Sequence, residues 1–286
     1  MPYLRLLSQD AFSTYATIAH DVTLSPSMGH YLDMVNNDKP NPALGRSADE
    51  NYARELLQLF TIGVNELNDD GSPRLENGQP VPTYSQDTIE YLSNVLTGWT
   101  YPPKPGAVSA SHNPAWFQGQ MVPVQSNHDT SAKVLLDGAT LPADQTAQQD
   151  LDGALQIILS HRNVAPFVSR QLIQHLVTSA PSPAYVARVA SAFRVSGGDM
   201  KTVIRAILLD PEARAGDDAI RTARENANRL ALRAPDAEAG RDDPGFGHLR
   251  EPALFINGLL RSLGAVVPPT NGLPSQSNIL SQNVYY

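Results

Sequence analysis

Ser47-Ala48-Asp49-Glu50-Asn51-Tyr52-Ala53-Arg54-Glu55-Leu56-Leu57-Gln58-Leu59-Phe60-Thr61-Ile62-Gly63-Val64 joins a start signal, a helical period and a stop signal in one run. Ser47 and Glu50 stand at capping-box spacing, in which the hydroxyl and the carboxylate satisfy orphan amides at a helix start. Gly63 is free to adopt the left-handed conformation that ends a helix. Tyr52, Leu56, Leu59 and Phe60 recur at i, i+4, i+7 and i+8, so they are expected on one core-facing side. The run predicts a helix around which the chain is organised.

The same period recurs further along the chain. Ile89, Leu92, Leu96 and Trp99 follow the cap Ser85. Leu151, Ala154, Leu155 and Ile158 form one stripe, and Val168, Leu172 and Leu176 form another with Pro166 in the first turn. Val186, Val189, Ala190 and Phe193 follow Ser182-Pro183; Met200, Val203, Ile204 and Ile207 follow Asp199. Further helices are expected around Ala11 to Ala19, from Ser27 onward, between Ala219 and Leu232, and from Glu251 to Leu263. The fold class is therefore mainly α: about eight to ten helices in an irregular multi-helix domain with long Pro/Gly-rich loops. At most a small β-hairpin is expected, near Trp116 to Val122. The helical domain should run over 1–264, with a possible subdivision near 142, followed by an irregular tail over 265–286.

A chain of 286 residues with 41% hydrophobic content can bury a sizeable core, which argues against wholesale disorder. Asp and Glu total 29 against 21 Lys and Arg, with no basic stripe, so a nucleic-acid partner is not expected. No apolar run is long enough to span a membrane, and Met1-Pro2-Tyr3-Leu4-Arg5 has no signal-peptide pattern. As written, the chain is expected to be cytoplasmic, with export open to a longer parent chain. Cysteine is absent, which removes thiolate nucleophiles, thiolate metal sites and disulfides. There is no phosphate loop, dinucleotide fingerprint, H-E-x-x-H or G-x-S-x-G. The chemistry left is that of His, Asp, Glu, Lys and water.

Two clusters are candidates for it. In the organising stretch, Glu50, Asn51, Arg54 and Glu55 crowd together. Glu50 with Arg54 reads equally as an i,i+4 ion pair contributing a few tenths of a kcal/mol, while Glu55 lies close enough to the apolar side to face an interior or a cleft. In the loop Asn127-His128-Asp129-Thr130-Ser131-Ala132-Lys133, His128 and Asp129 can serve as base and orienter or ligate a divalent cation such as Ca2+ or Mg2+. Lys133 or Arg54 can stabilise developing negative charge. The structural alternative has Asp129 capping a turn and His128 bonded to a loop carbonyl. Asn68-Asp69-Asp70-Gly71 reads as a solvated turn, since Gln79 stands where an EF-hand loop needs its closing Glu. His161 and His175 read as structural.

Asp49-Glu50-Asn51-Tyr52-Ala53-Arg54-Glu55-Leu56 followed by Leu59-Phe60-Thr61-Ile62-Gly63-Val64 resembles the signature of the bacterial family DUF1800, a domain of unknown function. So do Thr97-Gly98-Trp99, the His128-Asp129…Lys133 run, Arg170-Gln171-Leu172-Ile173, Ala206-Ile207-Leu208-Leu209-Asp210-Pro211-Glu212 and His248-Leu249-Arg250-Glu251-Pro252. The resemblance implies relatives and no reaction. Family chains usually extend past both ends, so a shortened member is expected. Two functions remain open: a hydrolase of a small-molecule ester-, lactone- or amide-like bond using activated water, with or without a divalent cation, and a noncatalytic scaffold binding a protein partner.

Overall fold

A computed structural model describes residues 2–215. The helices expected between Ala219 and Leu232 and from Glu251 to Leu263, and the tail over 265–286, lie outside the described residues. The rest is mainly α. Helices α1 (Pro2–Asp10), α2 (Tyr15–Thr23) and α3 (Pro26–Tyr31) lead to the organising helix α4 (Asn51–Glu55), which continues as a π-helical segment over Leu56–Thr61. Then come α5 (Gln86–Val95), α6 (Ala147–Ser160), α7 (Val164–Leu176), α8 (Pro183–Val195) and α9 (Met200–Leu209). Ser85, Ser182 and Asp199 cap their helices as their sequence positions suggest. The stripes Leu151/Ala154/Leu155/Ile158 and Val186/Val189/Ala190/Phe193 are buried in one core with Tyr52, Leu57, Leu92, Trp99 and Ile173.

The organising helix departs from its expected start and winding. It begins at Asn51 with Glu50 as its N-cap, so the Ser47/Glu50 capping box does not form; the Asp49 carboxylate accepts the Asn51 N–H instead, at 2.8 Å. Past Glu55 the ladder slips to i→i−5 bonding, with the Ile62 N–H meeting Leu57 O at 3.1 Å. The wider turn brings Leu57 fully inside and leaves Leu59 half exposed. Gly63 ends the segment at φ +71° as anticipated, and a Cβ there would stand 2.5 Å from the Phe167 ring.

The sheet content of the described residues is three two-stranded antiparallel pieces: β1 (Leu75–Glu76) with β2 (Gln79–Pro80), β3 (Trp99–Thr100) with β4 (Val122–Pro123), and β5 (Lys133–Val134) with β6 (Thr140–Leu141). The expected hairpin over Trp116 to Val122 does not form. Val122 pairs with Thr100, because the Trp99 ring must be buried and its strand is satisfied by backbone from Asn36 on one side and from across the long loop on the other.

Asn163, wholly buried at the start of α7, ties this architecture to the loop after the organising helix. Its Oδ1 accepts the Leu67 N–H at 2.9 Å, and its Nδ2 donates to Ile62 O at 2.9 Å and Asn65 O at 2.8 Å. Asn163→Ala leaves all three backbone groups without their partner, so urea denaturation should show a loss of about 3 kcal/mol with the far-UV dichroism retained.

Candidate functional site

Asp150 stands on the first turn of α6, on the same face as Leu151, Ala154 and Ile158, and is fully buried. A carboxylate in that position requires partners. Its Oδ2 meets Lys133 Nζ at 2.7 Å and His128 Nε2 at 3.1 Å, and both of those side chains are also without exposed surface. Lys133 enters from β5, whose alternation turns Val134 outward, and its ammonium also donates to Asp129 O at 2.6 Å and Ser131 O at 2.8 Å. His128 Nδ1 faces Thr97 O at 3.0 Å. Thr97 O and the Asp150 carboxylate are both acceptors, and the ring lies between them; the Lys133 ammonium lies between the carboxylates of Asp150 and Asp129.

Asp129 caps the turn. Its carboxylate accepts the Ser131 N–H at 2.9 Å and the Ser131 hydroxyl. Burial alone would raise its pKa, but these bonds and the nearby Lys133 hold it below the ordinary carboxylate range. Gly98, at φ +83°, permits the close approach, since a Cβ there would stand 2.9 Å from the His128 backbone nitrogen.

The buried cluster fixes a surface cleft through a short chain of bonds. Thr97 contacts His128, and three residues on, Thr100 Oγ1 donates to Asn36 Oδ1 at 2.6 Å while accepting the Asn113 N–H at 2.9 Å. Asn113 Nδ2 in turn donates to Tyr101 O at 2.7 Å. These anchors place the residues beside Asn36 and Asn113 face to face: His112 Nε2 lies 2.9 Å from Asp38 Oδ1, and Arg46 donates to Asp38 Oδ2 at 3.1 Å. The pair opens on a polar cleft of about 660 Å³ that Asp33, Asp49 and Glu50 also line. Asp33 and Asn36, on the cleft wall, hold left-handed φ angles of 60° and 61°, a strain that recurs at functional sites.

The family model described as "Protein of unknown function (DUF1800)" matches residues 2–286. The chain belongs to this family. No curated protein and no solved structure matches it significantly.

In this DUF1800 chain, the residues singled out from sequence are divided between two places. His128, Asp129 and Lys133 meet, and Asp150 completes their cluster in the interior. Arg54 pairs with Glu50 at 2.8 Å, and Gln86 joins the same carboxylate at 2.9 Å, at the edge of the cleft. Glu55 is partly buried, and among the described residues its Oε2 has no hydrogen-bond partner. Neither Glu55 nor Arg54 is bonded to His128, Asp129 or Lys133. Among the described residues, no three His, Asp or Glu side chains converge to hold a metal ion. His128 and Asp129, read from sequence as candidate ligands of a divalent cation, are bonded to Thr97, Asp150 and Ser131.

Sequence reading missed Asp150, Asp38, Arg46 and His112. Asp150 had a signal: it shares a helical stripe with Leu151, Ala154 and Ile158, where an unpaired carboxylate would be prohibitive. Asp38 and His112 had none, because they stand 74 positions apart, with α4 and α5 between them.

Breaking the buried cluster should cost stability. Asp150→Asn leaves Lys133 only the more distant Asp129 carboxylate and Lys133→Met leaves the Asp150 carboxylate without its ammonium, so each should lower unfolding free energy by about 3–5 kcal/mol in denaturant titration. His128→Ala, which opens a hole beside the same carboxylate, should lower it in the same direction.

Proposed function

We propose that the chain is a hydrolase of a small-molecule ester-, lactone- or amide-like bond, with water as the nucleophile and the cleft over Asp38 and His112 as its active site. The observation that carries this reading is the 2.9 Å contact between His112 Nε2 and Asp38 Oδ1, in a cleft where the imidazole is half exposed. The carboxylate can only accept, so Nε2 carries the proton, and in the neutral tautomer of that ring Nδ1 keeps its lone pair. Among the described residues Nδ1 has no hydrogen-bond partner, and a water there would be suitably placed for deprotonation.

The steps follow from that tautomer. Nδ1 takes a proton from water as its oxygen bonds to the acyl carbon, and Asp38 stabilises the imidazolium that forms. The acyl–oxygen or acyl–nitrogen bond then breaks, and the proton on Nδ1 passes to the leaving atom. Arg46, anchored to Asp38 through one nitrogen, has further N–H donors for the developing oxyanion. The Glu50–Arg54 pair holds the cleft edge at the start of the organising helix. In this reading His128, Asp129 and Lys133 position the loop that bears the site.

The test is a panel of ester, lactone and amide substrates assayed with Ca2+, with Mg2+ and with EDTA, which also reads any cation dependence. His112→Ala should lower turnover by about 10²-fold or more, and Asp38→Asn should lower it in the same sense. The unfolding midpoint of His112→Ala should barely move, since the ring is half exposed. Full turnover in both variants would remove the cleft from the reaction.

The noncatalytic alternative has one observation in its favour. Helix α1 buries none of its residues and exposes Leu4 and Leu7, next to exposed Phe12, an amphipathic surface of the kind used to bind another protein. A panel without turnover on any member favours it.

A further inference from the structure

A second cavity, of about 240 Å³, lies where α2, the corner between α6 and α7, and the end of α8 meet. Its walls are apolar: Tyr15, Leu159, Val164, Ala165 and Phe193. Its polar side chains are chiefly donors. Arg162 and Arg194 stand on its lining, exposed by 53% and 39%. His161, whose side chain is only 4% exposed, completes the set. The Asn163 N–H donates to His161 Nδ1 at 3.2 Å, which leaves the ring proton on Nε2. Burial holds this imidazole below its ordinary range, so near neutral pH it is an uncharged donor. No acceptor of the described residues lies within hydrogen-bond reach of Nε2; Asp137 Oδ2 is 3.8 Å away. Tyr15 adds a ring and no free donor, because its hydroxyl is spent on Phe60 O.

We infer that this cavity binds a small carboxylate carrying an apolar or aromatic tail. The tail lies against Tyr15, Val164 and Phe193, and the carboxylate meets His161 Nε2–H and the two guanidinium groups. The volume is below the ~300–1,000 Å³ of sites for drug-sized ligands, which limits the tail to a single ring or a short chain. The protein's own carboxylates near these donors are weak competitors. Asp137 and Asp69 are 83% and 74% exposed, and Glu66 is 3.9 Å from Arg162. The cavity shares no lining residue with the cleft of Asp38 and His112, so its occupancy is independent of the hydrolase reading.

Isothermal titration of the full chain with 3-phenylpropionate, and separately with the neutral 3-phenylpropan-1-ol, tests the assignment. The acid should bind saturably, and the alcohol at least about tenfold more weakly. Replacing both guanidinium groups (Arg162→Gln with Arg194→Gln) should weaken the acid by about tenfold or more while leaving the alcohol unchanged. Ala16→Phe, at an exposed α2 position on the lining, should abolish binding of the acid with the melting temperature retained. The inference is overturned by absence of binding in the unmodified chain, by equal affinity for acid and alcohol, or by undiminished binding in Ala16→Phe.

Discussion

Placing the Asp150 carboxylate inside the core is the constraint on which the rest of the structure depends. An isolated charge there would be untenable, so Lys133 and His128 must be delivered to it from a loop that has almost no regular structure. Delivering them ties β5 to α6 through the Lys133–Asp150 pair and presses residue 128 onto Gly98. Thr97 and Thr100 are thereby fixed, and Thr100 carries the bonds to Asn36 and Asn113 that set Asp38 opposite His112. A core charge and a surface pair are in this way parts of one connected arrangement. The loop over 101–141 is long because it must reach both.

The organising helix is held from outside as well as by its own ladder. Its π-helical end frees carbonyl groups, which other helices satisfy: the Tyr15 hydroxyl donates to Phe60 O, and Gln171 Nε2 to Leu59 O at 3.1 Å. The Thr61 hydroxyl donates back to Leu56 O at 2.6 Å. These bonds join α2 and α7 to the helix at the point where its period changes. Asn163 performs the same service for the following loop. Burial of Tyr15 against this segment pushes its phenol up to about 12, so the hydroxyl stays protonated and remains a donor throughout the ordinary pH range.

At the far end of the described region, α8 and α9 are joined by charge rather than by apolar contact alone. Arg188 meets the Asp210 carboxylate through two nitrogens, each at 2.7 Å, and the Glu212 carboxylate accepts the Ser182 N–H at 2.8 Å and the Ser182 hydroxyl. The Ser182-Pro183 start of one helix and the Asp210-Pro211-Glu212 end of the next are thus a single device. The Asp210-Pro211-Glu212 run carries the family resemblance, and its contact with Ser182 gives that resemblance a structural reason.

The sequence by itself determined the helices of α5 to α9, the caps of α5, α8 and α9, the stop at Gly63 and membership of the family, because a repeating apolar face and a cap are local properties of a few consecutive residues. It also brought His128, Asp129 and Lys133 to notice, and it contained the anomaly of Asp150 on an apolar stripe. Tertiary structure alone decided that this group is interior, that the helix at Asn51 unwinds into a π-turn which buries Leu57 in place of Leu59, and that Trp99 pairs with Pro123. It alone joined Asp38 to His112 and lined a cavity with His161, Arg162 and Arg194. The physical reason is the same throughout: a period or a cap is set by neighbours along the chain, whereas the pairing of a charge or the filling of a cavity is set by groups that only the packing of the core brings within reach.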